Sequence, residues 1–136
     1  MATKDLSHYD SKDVPNAEGM RFGIVVSEWN EEITERLYNG AQNALLENGV
    51  LAEDIIRINV PGSFELTFGA AMLAETTNVD AVITLGSVIQ GETKHFDFVC
   101  QGVSNGISRL NTILEIPVIF GVLTDHNMQQ AIDRSG

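Results

Sequence analysis

Four short apolar runs alternate with four helical stripes along this chain, and no other feature narrows the fold as far. Residues 21–27 form the first β-rich run. Asn30 then stands as an N-cap, with Glu31 and Glu32 placed to offset the helix dipole in the first turn. Ile33, Leu37, Ala41, Ala44 and Leu45 make one apolar stripe, and Gly49 is placed just past the helix end. Ile56, Ile58 and Val60 alternate and stop at Pro61, which marks a second strand. The turn at residues 61–65 offers Ser63 as N-cap of a helix carrying Leu66, Ala70, Leu73 and Ala74 and ending at Asn78. Residues 80–85 read as a third strand, and Val99, Val103, Ile107 and Leu110 recur after it at helical spacing. Residues 116–123 read as a fourth strand, where Pro117 demands a first-residue or edge position. Thr124 and Asp125 are expected to cap a last helix bearing Met128, Ala131 and Ile132.

Strand and helix alternating with short loops and near-continuous apolar strands means a parallel sheet covered on both faces. The expected fold is a three-layer α/β/α sandwich on a four-stranded parallel sheet. Residues 1–20 are polar and aperiodic, with Pro15 and Gly19, and read as a flexible arm or an extra N-terminal edge strand. Residues 21–136 then form the single domain. The last helix reaches Gly136 after about two and a half turns, short for a layer that covers a sheet, so an incomplete helix is expected.

Composition mainly excludes. A net charge of -11 argues against a nucleic-acid surface, which requires a basic face. It leaves room for a phosphorylated small substrate, because a few local donors outweigh a distant, screened field. No apolar run is long enough to cross a bilayer, and no secretory signal opens the chain, so no membrane partner is expected. The lone Cys100 has no cysteine to pair with in its own chain and suits a reducing, cytoplasmic compartment; beside Val99 it reads as a small buried hydrophobe. His8, His95 and His126 are scattered, and no metal-ligand spacing appears.

In an open α/β sheet, ligands bind beyond the carboxyl ends of the strands. The loops that leave those ends here are residues 27–30, 61–65, 86–95 and 124–127. The first carries Trp29, whose flat face can stack on a heteroaromatic ring, although a core or interface role is as common for tryptophan. The second offers Phe64 and Glu65, the latter also readable as a dipole-stabilising carboxylate. The third gathers Glu92, Thr93, Lys94 and His95 behind Gly91, at a helix start whose free N–H groups suit an anion. His95 is either an exposed polar residue or a proton carrier, since a neutral imidazole accepts and then donates. No G-x-G-x-x-G or P-loop is present, and the carboxylates of Glu28, Glu31 and Glu32 make the first loop a poor phosphate cradle.

Five segments in order carry a specific likeness: Trp29-Asn30, V-P-G-S-F-E at residues 60–65, G-S-V-I-Q-G-E-T-K-H-F-D-F-V-C at 86–100, P-V-I-F-G-V-L-T at 117–124, and A-I-D-R-S-G at 131–136. From about Arg21 to Gly136 the chain resembles the 6,7-dimethyl-8-ribityllumazine synthase family, with its flavodoxin-like sandwich. The resemblance implies a transferase of riboflavin biosynthesis. It would join 5-amino-6-ribitylaminouracil to 3,4-dihydroxy-2-butanone 4-phosphate, with no metal or organic cofactor. It assigns Trp29, Asn30, Ser63, Phe64, Glu65, Ser87, Val88, Ile89 and Phe120 to the ribitylaminouracil. Trp29 stacks on the ring, where many members have phenylalanine. It assigns Glu92, Thr93 and Arg134 to the butanone phosphate, and proton transfer to His95. Phe120 and Arg134 are expected to come from a neighbouring subunit. The family forms homopentamers, and some members assemble twelve of them into a 60-subunit icosahedral shell; riboflavin synthase is a further associate. Family members continue past Ser135-Gly136 with an N-K-G segment and the rest of a long helix, neither of which is in this sequence. The alternative is a non-catalytic flavin- or lumazine-binding protein, or a shell-forming protein, on the same fold. His95, Thr93 and Arg134 together favour the enzyme, since binding a ring alone requires no phosphate site.

Overall fold

The computed structural model describes residues 10–136. Within them β1 (Phe22–Ser27), α1 (Glu31–Glu47), β2 (Ile55–Val60), α2 (Leu66–Thr76), β3 (Ala81–Ile89), α3 (His95–Ile113), β4 (Val118–Asp125) and α4 (Met128–Arg134) follow one another. The four strands form one parallel sheet in the order β2-β1-β3-β4. The expected three-layer sandwich is therefore what the chain adopts.

Period-two alternation in the strands sorts their side chains between two apolar layers. Ile24, Val26 and Leu85 pack with Leu37, Tyr38, Ala41 and Leu45 of α1. Val25, Val82, Val118 and Val122 pack on the opposite face with Leu66, Ala70 and Leu73 of α2 and Val103, Ile107 and Leu110 of α3. Each fully buried side chain of this kind is worth about 1.5–3 kcal/mol relative to exposure, against about 1 kcal/mol for a typical hydrogen bond. The two apolar layers thus hold the fold, and the loops at the strand ends are left free for chemistry. On the sheet edge, Arg57 of β2 braces α1: its guanidinium pairs with the Glu35 carboxylate and lies 4.2 Å from the Tyr38 ring centroid. That pairing holds the Glu35 carboxyl below its usual range.

Several boundaries depart from expectation. β3 runs to Ile89, beyond the expected end at Leu85, because β4 supplies a ladder alongside it, from Gly86 beside Val122 to Ile89 beside Asp125. β4 is shifted two residues later than expected, so Thr124 and Asp125 lie inside the strand. The cap of α4 is Asn127, whose side-chain oxygen accepts the Gln130 N–H at 2.9 Å. Neither Asn30 nor Ser63 caps a helix through its side chain; residues Ser63–Glu65 form a 3-10 turn ahead of α2. α2 ends at Thr76 rather than at Asn78, and the Thr77 hydroxyl donates back to the Leu73 carbonyl. Gly49, at φ 99°, does close α1 as expected. Cys100 is half-buried, and burial, with Asp97 nearby, pushes its thiol above the usual range.

Residues 10–20 form turns and add no strand to the sheet. Ala17 N–H donates to the Asn48 carbonyl at 2.8 Å, and the Arg21 N–H to Asp80 Oδ2 at 2.8 Å. The edge-strand expectation for the rest of the arm falls on residues 1–9, which lie outside the described residues.

Candidate active site

The chain crosses from β2 over β1 to β3, so the loops after β1 and β3 diverge at the centre of the sheet. Such a switch point opens a crevice at the strand carboxyl ends. A cleft of about 670 Å³ lies there, walled by the β1–α1 loop, the residues after β2, the end of β3 and the first turn of α3.

Backbone pairing fixes the first loop. Glu28 N–H donates to the Val60 carbonyl at 2.8 Å and Trp29 N–H to the Pro61 carbonyl at 3.0 Å. This leaves Trp29 73% exposed at the cleft mouth. Asn30 adopts a left-handed backbone, φ 60°, and its amide donates to the Ser87 carbonyl at 2.9 Å. It does not line the cleft; it ties the tryptophan loop to β3. Asparagine tolerates this backbone, whereas most L-residues lose about 1–2 kcal/mol in it. Asn30→Ala is therefore expected to cost about 2 kcal/mol, the backbone strain plus a hydrogen bond of about 1 kcal/mol. Asn30→Gly, which loses only the bond, should cost about half that. Urea denaturation of both variants checks the division; equal losses would place the whole effect in the hydrogen bond.

The second wall is the turn after β2, with Pro61, Gly62, Ser63, Phe64 and Glu65 on the cleft. The third is β3 itself, through Ser87, Val88 and Ile89. Ser63 and Ser87 are 5% and 1% exposed, and neither hydroxyl oxygen has a hydrogen-bond partner in the protein. A buried polar group left unpaired costs about 1–3 kcal/mol, so two such hydroxyls on residues that line the cleft favour a ligand bearing hydroxyl or carbonyl groups. Gly86 makes room for Ser63: a Cβ there would lie 2.4 Å from Ser63 Oγ and 2.9 Å from Leu66 Cδ1.

The fourth wall belongs to the anion-suited segment. Gly91, Thr93 and His95 face the cleft, and the Thr93 hydroxyl oxygen accepts the His95 N–H at 3.3 Å. The loop is held at its base, where Gln90 N–H donates to the Asp125 carbonyl at 2.9 Å and Gln90 Oε1 meets His126 Nδ1 at 2.6 Å. Phe96, Phe98 and Val99 complete this wall, and the residue-by-residue reading of the sequence missed all three. For Phe98 and Val99 the signal was present, since they follow His95 at the three- and four-residue spacing of one helix face; Phe96, one residue on, carries no such signal.

Three further expected residues lie off the cleft of their own chain. Glu92 is exposed on the same loop. Phe120, 45% exposed, sits on the edge strand β4. Arg134 ends α4, where its Nη1 lies 3.5 Å from Asp125 Oδ1 and 3.4 Å from the Gln130 carbonyl. Among the described residues no cluster of three His, Cys, Asp or Glu side chains could hold a metal ion, and no helix is long and apolar enough to cross a membrane.

Burial raises the Asp125 carboxyl above its usual range, and the nearby Arg134 and His126 only partly oppose this. A raised folded-state pKa means that ionised Asp125 opposes folding. The cost is absent below the unfolded value, about 3.9, and complete above the raised folded one. Asp125→Asn should therefore gain melting temperature relative to the native chain as pH rises from about 4 to 7. The lost ion pair subtracts little, because the Arg134 side chain is 55% exposed. A Tm difference that stays flat across this range would contradict the assignment.

A family model described as 6,7-dimethyl-8-ribityllumazine synthase matches residues 19–136. A 6,7-dimethyl-8-ribityllumazine synthase of Flavobacterium johnsoniae is 66% identical over 138 aligned positions, covering 100% of this chain and 73% of the relative. The synthases so named in Flavobacterium psychrophilum and Christiangramia forsetii are each 58% identical, covering 99% and 100% of this chain and 71% and 83% of the relatives.

Proposed function

The chain belongs to the 6,7-dimethyl-8-ribityllumazine synthase family, and we propose that the cleft at the carboxyl ends of β1, β2 and β3 is its active site. The enzyme is a transferase that condenses 5-amino-6-ribitylaminouracil with 3,4-dihydroxy-2-butanone 4-phosphate and releases phosphate and water. One observation carries the site assignment: a single cleft joins an exposed tryptophan face, two buried hydroxyls without partners, and a histidine at a helix start.

Each part has a task in this reading. Trp29 stacks on the pyrimidine ring. Ser63 and Ser87 pair with polar groups of the ribitylaminouracil, with Phe64, Glu65, Val88 and Ile89 shaping the pocket around it. Asn30 serves this substrate by holding Trp29 in place through the Ser87 carbonyl. The Thr93 hydroxyl and the backbone N–H groups of Glu92, Thr93 and the N-terminus of α3 receive the phosphate of the second substrate. The ring amine attacks the ketone to give an imine with loss of one water, phosphate is eliminated, and ring closure onto the remaining carbonyl loses a second water. Each step moves a proton, and His95 is the group in the cleft suited to carry it. Alignment of two bound substrates supplies much of the remaining acceleration.

Phe120 and Arg134 enter from a neighbouring copy in this reading, within a pentamer or a shell built of pentamers. Ile119 and Phe120 on the edge strand β4, and Phe68 and Met72 on α2, are large apolar side chains left 42–66% exposed. Exposed apolar side chains of this size suit a surface that another chain covers in this reading. Closing a ring of heterologous contacts leaves no such surface open. A cytoplasmic enzyme that also meets riboflavin synthase completes the proposal; its unpaired Cys100 thiol suits that compartment.

The direct test mixes purified protein with both substrates and follows lumazine fluorescence. Turnover above the uncatalysed background is expected. Tight binding of the pyrimidine without turnover would favour a lumazine- or flavin-binding role instead.

A further inference from the structure

Behind the cleft wall, the face of α3 that carries His95, Phe98 and Val99 continues to Gly102 and Gly106 at the same helical spacing. Glycine is a poor residue inside a 19-residue helix. The backbone does not call for it at 102, because the positive-φ glycines among the described residues are Gly19, Gly49 and Gly136. The reason is steric. A Cβ at Gly102 would stand 2.4 Å from Phe64 Cε2, 2.9 Å from Cδ2 and 3.4 Å from Cζ, where carbon atoms prefer about 3.5–4.0 Å. The ring edge of Phe64 therefore occupies the volume that a side chain at 102 would take. Phe64 is also a cleft wall, 60% exposed on the 3-10 turn after β2.

We propose that Gly102, two helical turns beyond His95 and outside the cleft, is a positioning residue that seats the Phe64 ring and so sets the shape of the pyrimidine side of the active site. The inference rests on the reading that Phe64 holds the ribitylaminouracil. The atoms that a methyl group at 102 would meet are the far end of one side chain, so the ring yields rather than the helix. A methyl group thus displaces Phe64 while improving the intrinsic helix propensity of α3. Gly102 therefore separates stability from binding, which an ordinary packing residue does not.

A double-mutant cycle tests this. Binding of 5-amino-6-ribitylaminouracil is read from quenching of Trp29, the one tryptophan of the chain, in the native protein, Gly102→Ala, Phe64→Ala and the double variant. Gly102→Ala is expected to raise Kd about three- to tenfold, the worth of one aromatic contact. Its Tm should not fall, and KM for the butanone phosphate should not change. In the Phe64→Ala background the same substitution should add nothing. An equal rise of Kd in both backgrounds, an unchanged Kd in the native background, or a parallel rise of KM for the second substrate would overturn the role of Gly102. If Phe64→Ala alone leaves Kd unchanged, Phe64 does not hold this substrate, and the proposal falls together with that assignment.

Discussion

His95→Ala is expected to lower kcat on the order of a hundredfold at saturating substrates, the usual worth of a positioned general acid–base group. Kd for the ribitylaminouracil should barely move. The imidazole is exposed at the first residue of α3, and its backbone N–H, not its ring, makes the bond to Thr93. Its removal thus leaves the loop geometry in place, and the loss falls on chemistry rather than on folding. Single-turnover rates across neutral pH, set beside equilibrium binding, separate the two. A native rate in the variant would remove His95 from the mechanism. A rate loss matched by lost binding would make it a substrate-holding residue.

Arg134→Ala is expected to raise KM for the butanone phosphate about ten- to a hundredfold, since a hydrogen bond to a charged group is worth about 1.5–3 kcal/mol. Binding of the pyrimidine should be unaffected. In its own chain the guanidinium lies 3.5 Å from the buried Asp125, at the tip of α4 and off the cleft wall. Arg134→Lys keeps the charge but loses the planar fork, and it should recover only part of the affinity. Steady-state kinetics with each substrate varied in turn checks both variants. An unchanged KM in the alanine variant would leave the phosphate to Thr93 and the α3 N-terminus alone.

The layers were legible because apolar periodicity is a local signal. The stripe of Val103, Ile107 and Leu110, and the alternation ending at Val60, land where the sandwich buries them. The end of β3 was not legible. Gly86 reads as a breaker, yet it sits inside the strand, because its missing side chain makes room for Ser63 and Leu66 and because β4 offers partners as far as Ile89. The same non-local pairing pulled Thr124 and Asp125 out of their expected capping role. Within the site, the Trp29, Phe64 and His95 loops converge as strand-end loops of a parallel sheet must. The unpaired state of Ser63 and Ser87 and the link from Asn30 to the Ser87 carbonyl depend on close approach between distant segments. No spacing in the sequence encodes them. Asn30 shows the difference most clearly: as a residue type it reads as a helix cap, but its amide is used 57 residues away.

In the proposed shared site, one chain supplies Trp29 and His95 and its neighbour supplies Phe120 and Arg134. Mixing tests it most directly. His95→Ala and Arg134→Ala proteins, each crippled alone, are unfolded together, reassembled, and assayed at low butanone phosphate. If the site is shared, roughly a quarter of sites in randomly mixed rings pair an intact His95 with an intact Arg134 across a subunit boundary, and activity should return toward that fraction of the native value. Mixed oligomers, verified by a mass tag on one variant, that show only the average of the two parent activities would contradict the shared site.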